Sequence, residues 1–169
     1  MNLNNLDHLP EGTQVVLNSN SFIYSALFHP IFGEICRRFL KKIESGEIIG
    51  SVPTTVLNEV LHRFMITELI EKKIGKTTYN MIQKIKKSSD VLKLLEKTWI
   101  NIDYIHQMNC EIITEKEDTF YHSLEIIKDF QLLPKDALIV TYVKSYVLTN
   151  IVSNDRDFNR IPWVSQWHP

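Results

Sequence analysis

Short apolar segments alternate along this chain with longer stretches in which apolar residues recur at helical spacing. The short segments predict β-strands at 14–17, 47–52, 100–105 and 150–152, the third of them from a weak alternation. The longer stretches predict helices at about 31–43, 54–73, 76–97, 114–130 and 136–146. Strands that alternate with helices predict an α/β fold, here a three-layer α/β/α sandwich with a central parallel sheet.

A few residues set the predicted boundaries of these elements. Gly46 ends the first helix, and Pro53 suits the first turn of the second. Residues 114–117, Thr-Glu-Lys-Glu, have the form of a capping box and predict the start of the fourth helix. Because no repeat or flexible linker interrupts the pattern, we expect a single domain over residues 1–169, with a core of about 14–165 and a helical region of about 54–97.

Polar residues follow the first and the last predicted strand. Asn18-Ser19-Asn20 come after the first, and residues 153–157, Ser-Asn-Asp-Arg-Asp, come after the last. In open parallel sheets, ligands bind outside the carboxyl ends of the strands. We therefore expect these two segments to border a functional site.

Three acids stand out by their position in this pattern. Glu59 lies between apolar residues of the second helix, Asp136 opens the fifth helix, and Asp155 follows the last strand with Asp157 close behind. Mg²⁺ and Mn²⁺ prefer carboxylate oxygens, and carboxylates brought together repel one another without a cation. The acids are thus a candidate metal site, although each has an ordinary alternative as a helix cap, a turn residue or a helix-edge residue.

Four segments resemble the PIN-domain family, in particular the VapC-type toxins of archaea and bacteria. They are 15–24 (Val-Val-Leu-Asn-Ser-Asn-Ser-Phe-Ile-Tyr), 54–60 (Thr-Thr-Val-Leu-Asn-Glu-Val), 132–139 (Leu-Leu-Pro-Lys-Asp-Ala-Leu-Ile) and 151–158 (Ile-Val-Ser-Asn-Asp-Arg-Asp-Phe). The resemblance runs from residue 15 to about 169 and implies a parallel sheet between layers of helices. It also implies a metal-dependent endoribonuclease that uses Mg²⁺ or Mn²⁺.

The same resemblance assigns roles to individual positions. It implies catalytic and metal-binding residues at Asn18, Glu59, Asp136 and Asp155, with Asp157 as an auxiliary metal ligand. It implies that Asn20 and Ser153 are the polar residues that support this set.

Position 18 departs from the family pattern, because the first acid of the family falls on Asn18. Asparagine keeps a carbonyl oxygen but loses the negative charge, and its N–H₂ group faces a cation unfavourably. We expect weaker metal binding, and cleavage lowered by about 10²-fold or more. An engineered inactivation and a natural substitution both fit this position, and the three intact acids favour the first.

Lysines are concentrated in one part of a chain whose net charge is only −1. Residues 71–97 contain eight lysines against three acids. A solvated helix face is the ordinary interpretation, and contact with RNA phosphates is the functional one. The candidate RNA-binding residues are Lys72, Lys73, Lys76, Lys84 and Lys87.

Other features bound the environment and the partners of the protein. No apolar run reaches the ~18 residues of a membrane span, and residues 1–12 lack the pattern of a signal peptide, so we expect a cytoplasmic protein with no membrane partner. The resemblance implies an RNA substrate, a small antitoxin protein as partner and a homodimer.

Two alternatives stay open: a non-catalytic PIN-fold module that binds RNA or protein, and a different α/β hydrolase or phosphotransferase. A missing Gly-rich phosphate loop and a missing Gly-x-Ser-x-Gly motif argue against the second.

Overall fold

The computed structural model describes residues 4–169. The expectation that residues 1–12 are not a signal peptide falls partly on residues 1–3, which lie outside the described residues. Within the described residues, six strands form one parallel sheet. The strands are β1 (Asn4–Asn5), β2 (Gln14–Leu17), β3 (Ile49–Pro53), β4 (Cys110–Ile113), β5 (Asn150–Val152) and β6 (Ser165–His168). Their order across the sheet is β1-β6-β5-β2-β3-β4, so β2 and β5 are central.

Helices connect most of the strands. They are α1 (Ser19–Ala26), α2 (Gly33–Glu44), α3 (Thr54–Glu71), α4 (Thr78–Lys87), α5 (Asp90–Lys93), α6 (Glu96–Gln107), α7 (Thr119–Phe130) and α8 (Pro134–Ser145). The chain steps in one direction across the sheet from β2 to β3 and in the opposite direction from β4 to β5. Because parallel crossovers are right-handed, α1 and α2, between β2 and β3, cover one face, and α7 and α8, between β4 and β5, cover the other. The predicted α/β fold with a central parallel sheet is confirmed.

The two central strands consist of buried apolar residues after a polar first residue, Gln14 in β2 and Asn150 in β5. Val15, Val16 and Leu17 of β2 and Ile151 and Val152 of β5 are all fully buried. Strands covered on both faces have such continuous apolar sequences. The predictions of these strands at 14–17 and 150–152 are therefore confirmed residue for residue.

Several predicted elements were wrong. Residues 100–105 are not a strand, since they lie inside α6, and β1, β4, β6 and α1 were not predicted. The capping box at 114–117 does not start a helix, because α7 begins only at Thr119, whose hydroxyl accepts the backbone N–H of Lys116 at 2.9 Å. The helical spacing of residues 76–97 corresponds to α4, α5 and the first two residues of α6, with breaks between these helices.

The described chain divides into two compact units. One unit runs to Leu57 and resumes at Asn109, and it contains the whole sheet. The other is helical and covers Asn58–Met108. No helix in residues 4–169 combines the length and the apolar character that crossing a bilayer requires.

The helical unit has its own small core and one buried acid. Ile66, Leu69, Met81 and Leu95 form the apolar cluster. The carboxylate of Glu68, 3% exposed, accepts hydrogen bonds from the N–H and hydroxyl of Thr98, both at 2.8 Å, and from the N–H of Lys97 at 3.2 Å. Glu68 thus caps the N-terminus of α6 from a helix about 30 residues earlier.

The same contacts act on the pKa of Glu68. Burial by itself would raise this pKa, but the hydrogen bonds from Thr98 and Lys97 outweigh burial, and the ammonium of Lys72, 3.6 Å away, adds to them. The net effect holds the pKa of Glu68 below its ordinary value of 4.5.

Candidate functional site

The central strands β2 and β5 end side by side. Val16 pairs with Ile151 and Leu17 with Val152, so the next residues of the two strands, Asn18 and Ser153, are neighbours at the edge of the sheet. The strand order changes direction between β2 and β5, which makes this edge the switch point at which open α/β sheets bind ligands.

Asn18 links the end of β2 to the start of α1. Its side chain is 3% exposed, and Oδ1 accepts the backbone N–H of Ser19 at 2.7 Å as the N-cap of the helix. Its Nδ2 donates to Oγ of Ser153 at 3.0 Å. The cap requires an acceptor on one side of the amide, so a donor must face Ser153.

The hydroxyl of Ser153 is the central acceptor of this edge. Its Oγ is fully buried and receives the Nδ2 groups of Asn18 and Asn20, at 3.0 and 3.2 Å, and the backbone N–H of Asp155 at 3.0 Å. A hydroxyl oxygen has two lone pairs and one proton to donate, so three N–H donors oversupply it. A carboxylate at position 18 would accept the Ser153 proton and leave two donors for two lone pairs. Oδ1 of Asn20 is buried without a hydrogen-bond partner among residues 4–169, so turning the Asn20 amide over would supply an acceptor as well. The Ser153 hydroxyl thus calls for one acceptor, from position 18 or from position 20.

Asp155 and Asp157 form a turn after β5. The N–H of Asp157 donates to Oδ1 of Asp155 at 3.0 Å, which leaves Oδ2 of Asp155 outside this turn bond. The carboxylate of Asp157 lies 2.8 Å from the guanidinium of Arg160, and both side chains are partly exposed. Asp155 is thus positioned by the turn, while Asp157 is engaged with a cationic side chain of the protein.

Asp136 lies in the first turn of α8, directly after Pro134 and Lys135. It is 4% exposed, and the ammonium of Lys135 is 3.9 Å from its Oδ1. The N-terminus of a helix stabilises a negative charge. The prediction that Asp136 stands near the start of this helix is confirmed, with the helix beginning two residues earlier than predicted.

The other predicted site residues belong to the helical unit. Glu59 lies in the second turn of α3 and is partly buried, and α3 begins directly after β3. All eight lysines of 71–97 are exposed. Among them, Lys72, Lys93 and Lys97 form ion pairs with Glu68, Asp90 and Glu71.

The donor atoms of the predicted site residues can be compared with the ligands that a divalent cation prefers. In residues 4–169, no three His, Cys, Asp or Glu side chains are grouped closely enough to hold an ion by themselves. Asp136 and Asp155 supply the carboxylate oxygens that a hard divalent cation prefers. Position 18 supplies an N–H donor on the side that faces Ser153 and carries no negative charge. The donor types therefore fit such a cation, with the mismatch at Asn18.

Two residues at this edge were missed in the sequence. Gln166 of β6 is buried, and its Nε2 donates to the carbonyl oxygens of Ser153 and Asp155. The hydroxyl of Tyr24 accepts Nδ2 of Asn154 at 3.3 Å. A polar residue in the short segment 165–168 is the only sequence signal for Gln166, and it is weak because that segment has no apolar run.

Comparisons with known proteins identify the family of this chain. The family model of the PIN domain matches residues 15–164. A curated relative, ribonuclease VapC2 of Methanocaldococcus jannaschii, is 31% identical over 159 residues, a match that covers 91% of this chain and 93% of that protein.

Solved structures have a similar fold. One is VapBC2 from Rickettsia felis bound to a DNA fragment from their promoter, with a TM-score of 0.59 and 17% identity over 92% of this chain and 98% of that chain. Another is VapBC-1 from nontypeable Haemophilus influenzae, with a TM-score of 0.56 and 12% identity over 92% of this chain and 96% of that chain. At these identities the likeness concerns the fold alone.

Proposed function

This chain belongs to the PIN-domain family, and we propose on that basis that it is a metal-dependent endoribonuclease, the toxin of a toxin–antitoxin pair, whose activity Asn18 weakens. The observation that carries the proposal is the hydrogen-bonded edge at which Asn18, Ser153 and Asp155 meet. The name of the relative from Methanocaldococcus jannaschii supports a ribonuclease. The VapC nucleases that this chain resembles generally depend on divalent metal.

In the proposed reaction, Glu59, Asp136 and Asp155 would hold Mg²⁺ or Mn²⁺, and position 18 would complete the set when it is aspartate. When bound, such a cation supplies positive charge for the phosphate and a water of lowered pKa for the attack. The residues of this edge orient Asp155. The Ser153 hydroxyl accepts the N–H of Asp155, and the N–H of Asp157 holds Oδ1 of the Asp155 carboxylate. With Asn18, one of the carboxylate charges that would hold the cation is missing.

Calorimetric titration with Mn²⁺ tests the proposed metal site. We expect this chain to bind Mn²⁺, and Glu59→Gln to weaken the affinity by about 10-fold or more, because a ligand carboxylate is lost. Glu71→Gln is the matched control, since it removes the same charge from the far end of the same helix, where Glu71 is paired with Lys97. Equal affinities of the two variants would exclude Glu59 from the site.

A non-catalytic binding module is the second candidate function. It is favoured by one observation, the N–H donor that Asn18 turns toward Ser153 in place of a charged ligand. In that case neither this chain nor Glu59→Gln binds Mn²⁺, while RNA or a protein partner still binds.

The exposed lysines are proposed to guide the RNA. We expect the affinity for a single-stranded RNA, measured in EDTA, to fall steeply with salt. Lys84→Gln/Lys87→Gln should lower the slope of log K against log[salt] by about 1.4, since each phosphate contact to a single strand contributes about 0.7. Lys41→Gln/Lys128→Gln, which removes two exposed charges from α2 and α7, should leave the slope almost unchanged. The same loss of slope in both variants would mean that net charge, and not this region, attracts the RNA.

A partner protein is part of the proposal as well. Solved structures with this fold contain VapB and VapC together, which supports a small antitoxin as partner. We also propose a homodimer, a cytoplasmic location and one domain formed by the whole chain.

A further inference from the structure

Gln166 contacts the backbone of the segment that carries Asp155. It lies on β6 opposite Ile151 of β5, and its side chain is 6% exposed. Its Nε2 donates to the carbonyl oxygen of Ser153 at 2.9 Å and to that of Asp155 at 2.5 Å. One side-chain amide therefore holds the two carbonyls on either side of Asn154.

The orientation of this amide is set by chemistry. If the amide were turned over, Oε1 would face two carbonyl oxygens, and three acceptors would meet without a donor. In the observed orientation Oε1 is buried and has no hydrogen-bond partner among residues 4–169. A buried acceptor without a partner costs free energy, and methionine would fill a similar volume without that cost. Core packing alone therefore does not explain a glutamine here.

The two bonds have a direct consequence for Asp155. The carbonyl of residue 153 belongs to the peptide plane 153–154 and that of residue 155 to the plane 155–156, so Gln166 holds the planes on both sides of the peptide 154–155. This intervening peptide carries the N–H of Asp155, which donates to Oγ of Ser153, and Oδ1 of Asp155 accepts the N–H of Asp157. Since Ser153 also donates its own N–H to the carbonyl of Trp167, the segment is anchored to β6 at three points.

We propose that Gln166 is a positioning residue of the nuclease, which holds the Asp155 carboxylate in the geometry that a divalent cation requires. The inference rests on the proposed function, because it gives Gln166 a role toward the same site. Groups that orient metal ligands typically contribute about 10- to 100-fold to metal affinity.

The first measurement needs no substitution. In the NMR spectrum of the full chain, we expect the two Nε2 protons of Gln166 and the backbone amides of Asp155 and Asp157 to exchange slowly with solvent. Fast exchange of the Nε2 protons would overturn the proposal at once, whatever any variant does.

The second measurement compares Gln166→Met with Asn150→Met. Asn150 is the matched control, because its amide also makes two hydrogen bonds, one donated to the carbonyl of Gln14 and one accepted from the indole N–H of Trp167, at the opposite end of β5. Relative to this control, Gln166→Met should speed exchange at Asp155 and Asp157 and weaken the affinity for Mn²⁺ alone by about 10-fold or more.

The outcomes separate this inference from the proposed function. If Gln166→Met speeds exchange but binds Mn²⁺ as tightly as Asn150→Met, the role is only structural and the inference fails while the nuclease proposal stands. If neither this chain nor Asn18→Asp binds Mn²⁺, the proposed function fails. The exchange data then show independently whether Gln166 fixes the segment.

Discussion

Asn18→Asp is expected to raise Mn²⁺-dependent cleavage of single-stranded RNA by about 100-fold or more over the chain with Asn18. The substitution replaces an N–H donor by a charged acceptor at a position that is 3% exposed. It also gives the Ser153 hydroxyl an acceptor for its proton and reduces the N–H donors on Oγ from three to two. Both effects act at a buried position, where charge interactions are stronger than in water. The measurement is the cleavage rate with Mn²⁺ and in EDTA.

Asn20→Asp is the matched control for this gain. Asn20 also donates its amide to Oγ of Ser153, so the control adds the same charge two residues away. We expect it to give little or no gain, and we expect Asn18→Asp/Asp155→Asn to fall back to the level of this chain. A similar gain from Asn20→Asp would show that added charge, and not the position of the acid, accounts for the effect.

Glu68→Ala should lower the free energy of unfolding at pH 7 by about 3 kcal/mol, because the N–H groups of Lys97 and Thr98 lose a buried charged acceptor. Chemical denaturation followed by circular dichroism measures this difference. Glu71→Ala is the control, since its ion pair with Lys97 is exposed and contributes at most about 0.5 kcal/mol. Equal losses in the two variants would contradict the capping role of Glu68.

The difference between the chain and Glu68→Ala should also depend on pH. The pKa of Glu68 is held below 4.5 in the folded state, so its ionised form stabilises the fold at and above that pH. As the pH falls below 4.5 and through the lowered pKa, the carboxylate takes up a proton and this stabilisation is lost. The two unfolding curves should therefore approach each other in acid, and a constant gap down to pH 2 would mean that Glu68 acts only through packing.

The sequence was informative where one local pattern dominated. The apolar runs of β2 and β5 predict buried strands, and the polar residues after each strand mark the edge where ligands bind, but only the observed pairing of β2 with β5 places Asn18 beside Ser153. It was misleading where a distant contact decides the structure. Residues 100–105 alternate like a strand, yet α6 forms because Glu68, about 30 residues earlier, caps its first turn.

Polar segments were ambiguous for a different reason. Asn18-Ser19-Asn20 has the composition of a turn, but the same residues favour a helix N-terminus, and α1 begins at Ser19 with Asn18 as its cap. Gln166 could not be found at all, because its role depends on the pairing of β6 with β5 and on no pattern within β6 itself. Neither sequence motifs nor hydrophobic periodicity identify a residue whose role is to hold the backbone of another segment in place.

The place of β6 in the sheet has a consequence for the synthesis of the protein. In the described chain β6 follows the five other strands in sequence, yet it lies between β5 and β1 and carries the amide that fixes Ser153 and Asp155. A ribosome therefore finishes every acidic residue of the proposed site before it makes the strand that orders one of them. While residues 165–168 are still unmade, the nascent chain has the acids of the proposed site but lacks the amide that holds the Ser153 and Asp155 carbonyls, so the proposed site gains this order only after its acids have been made.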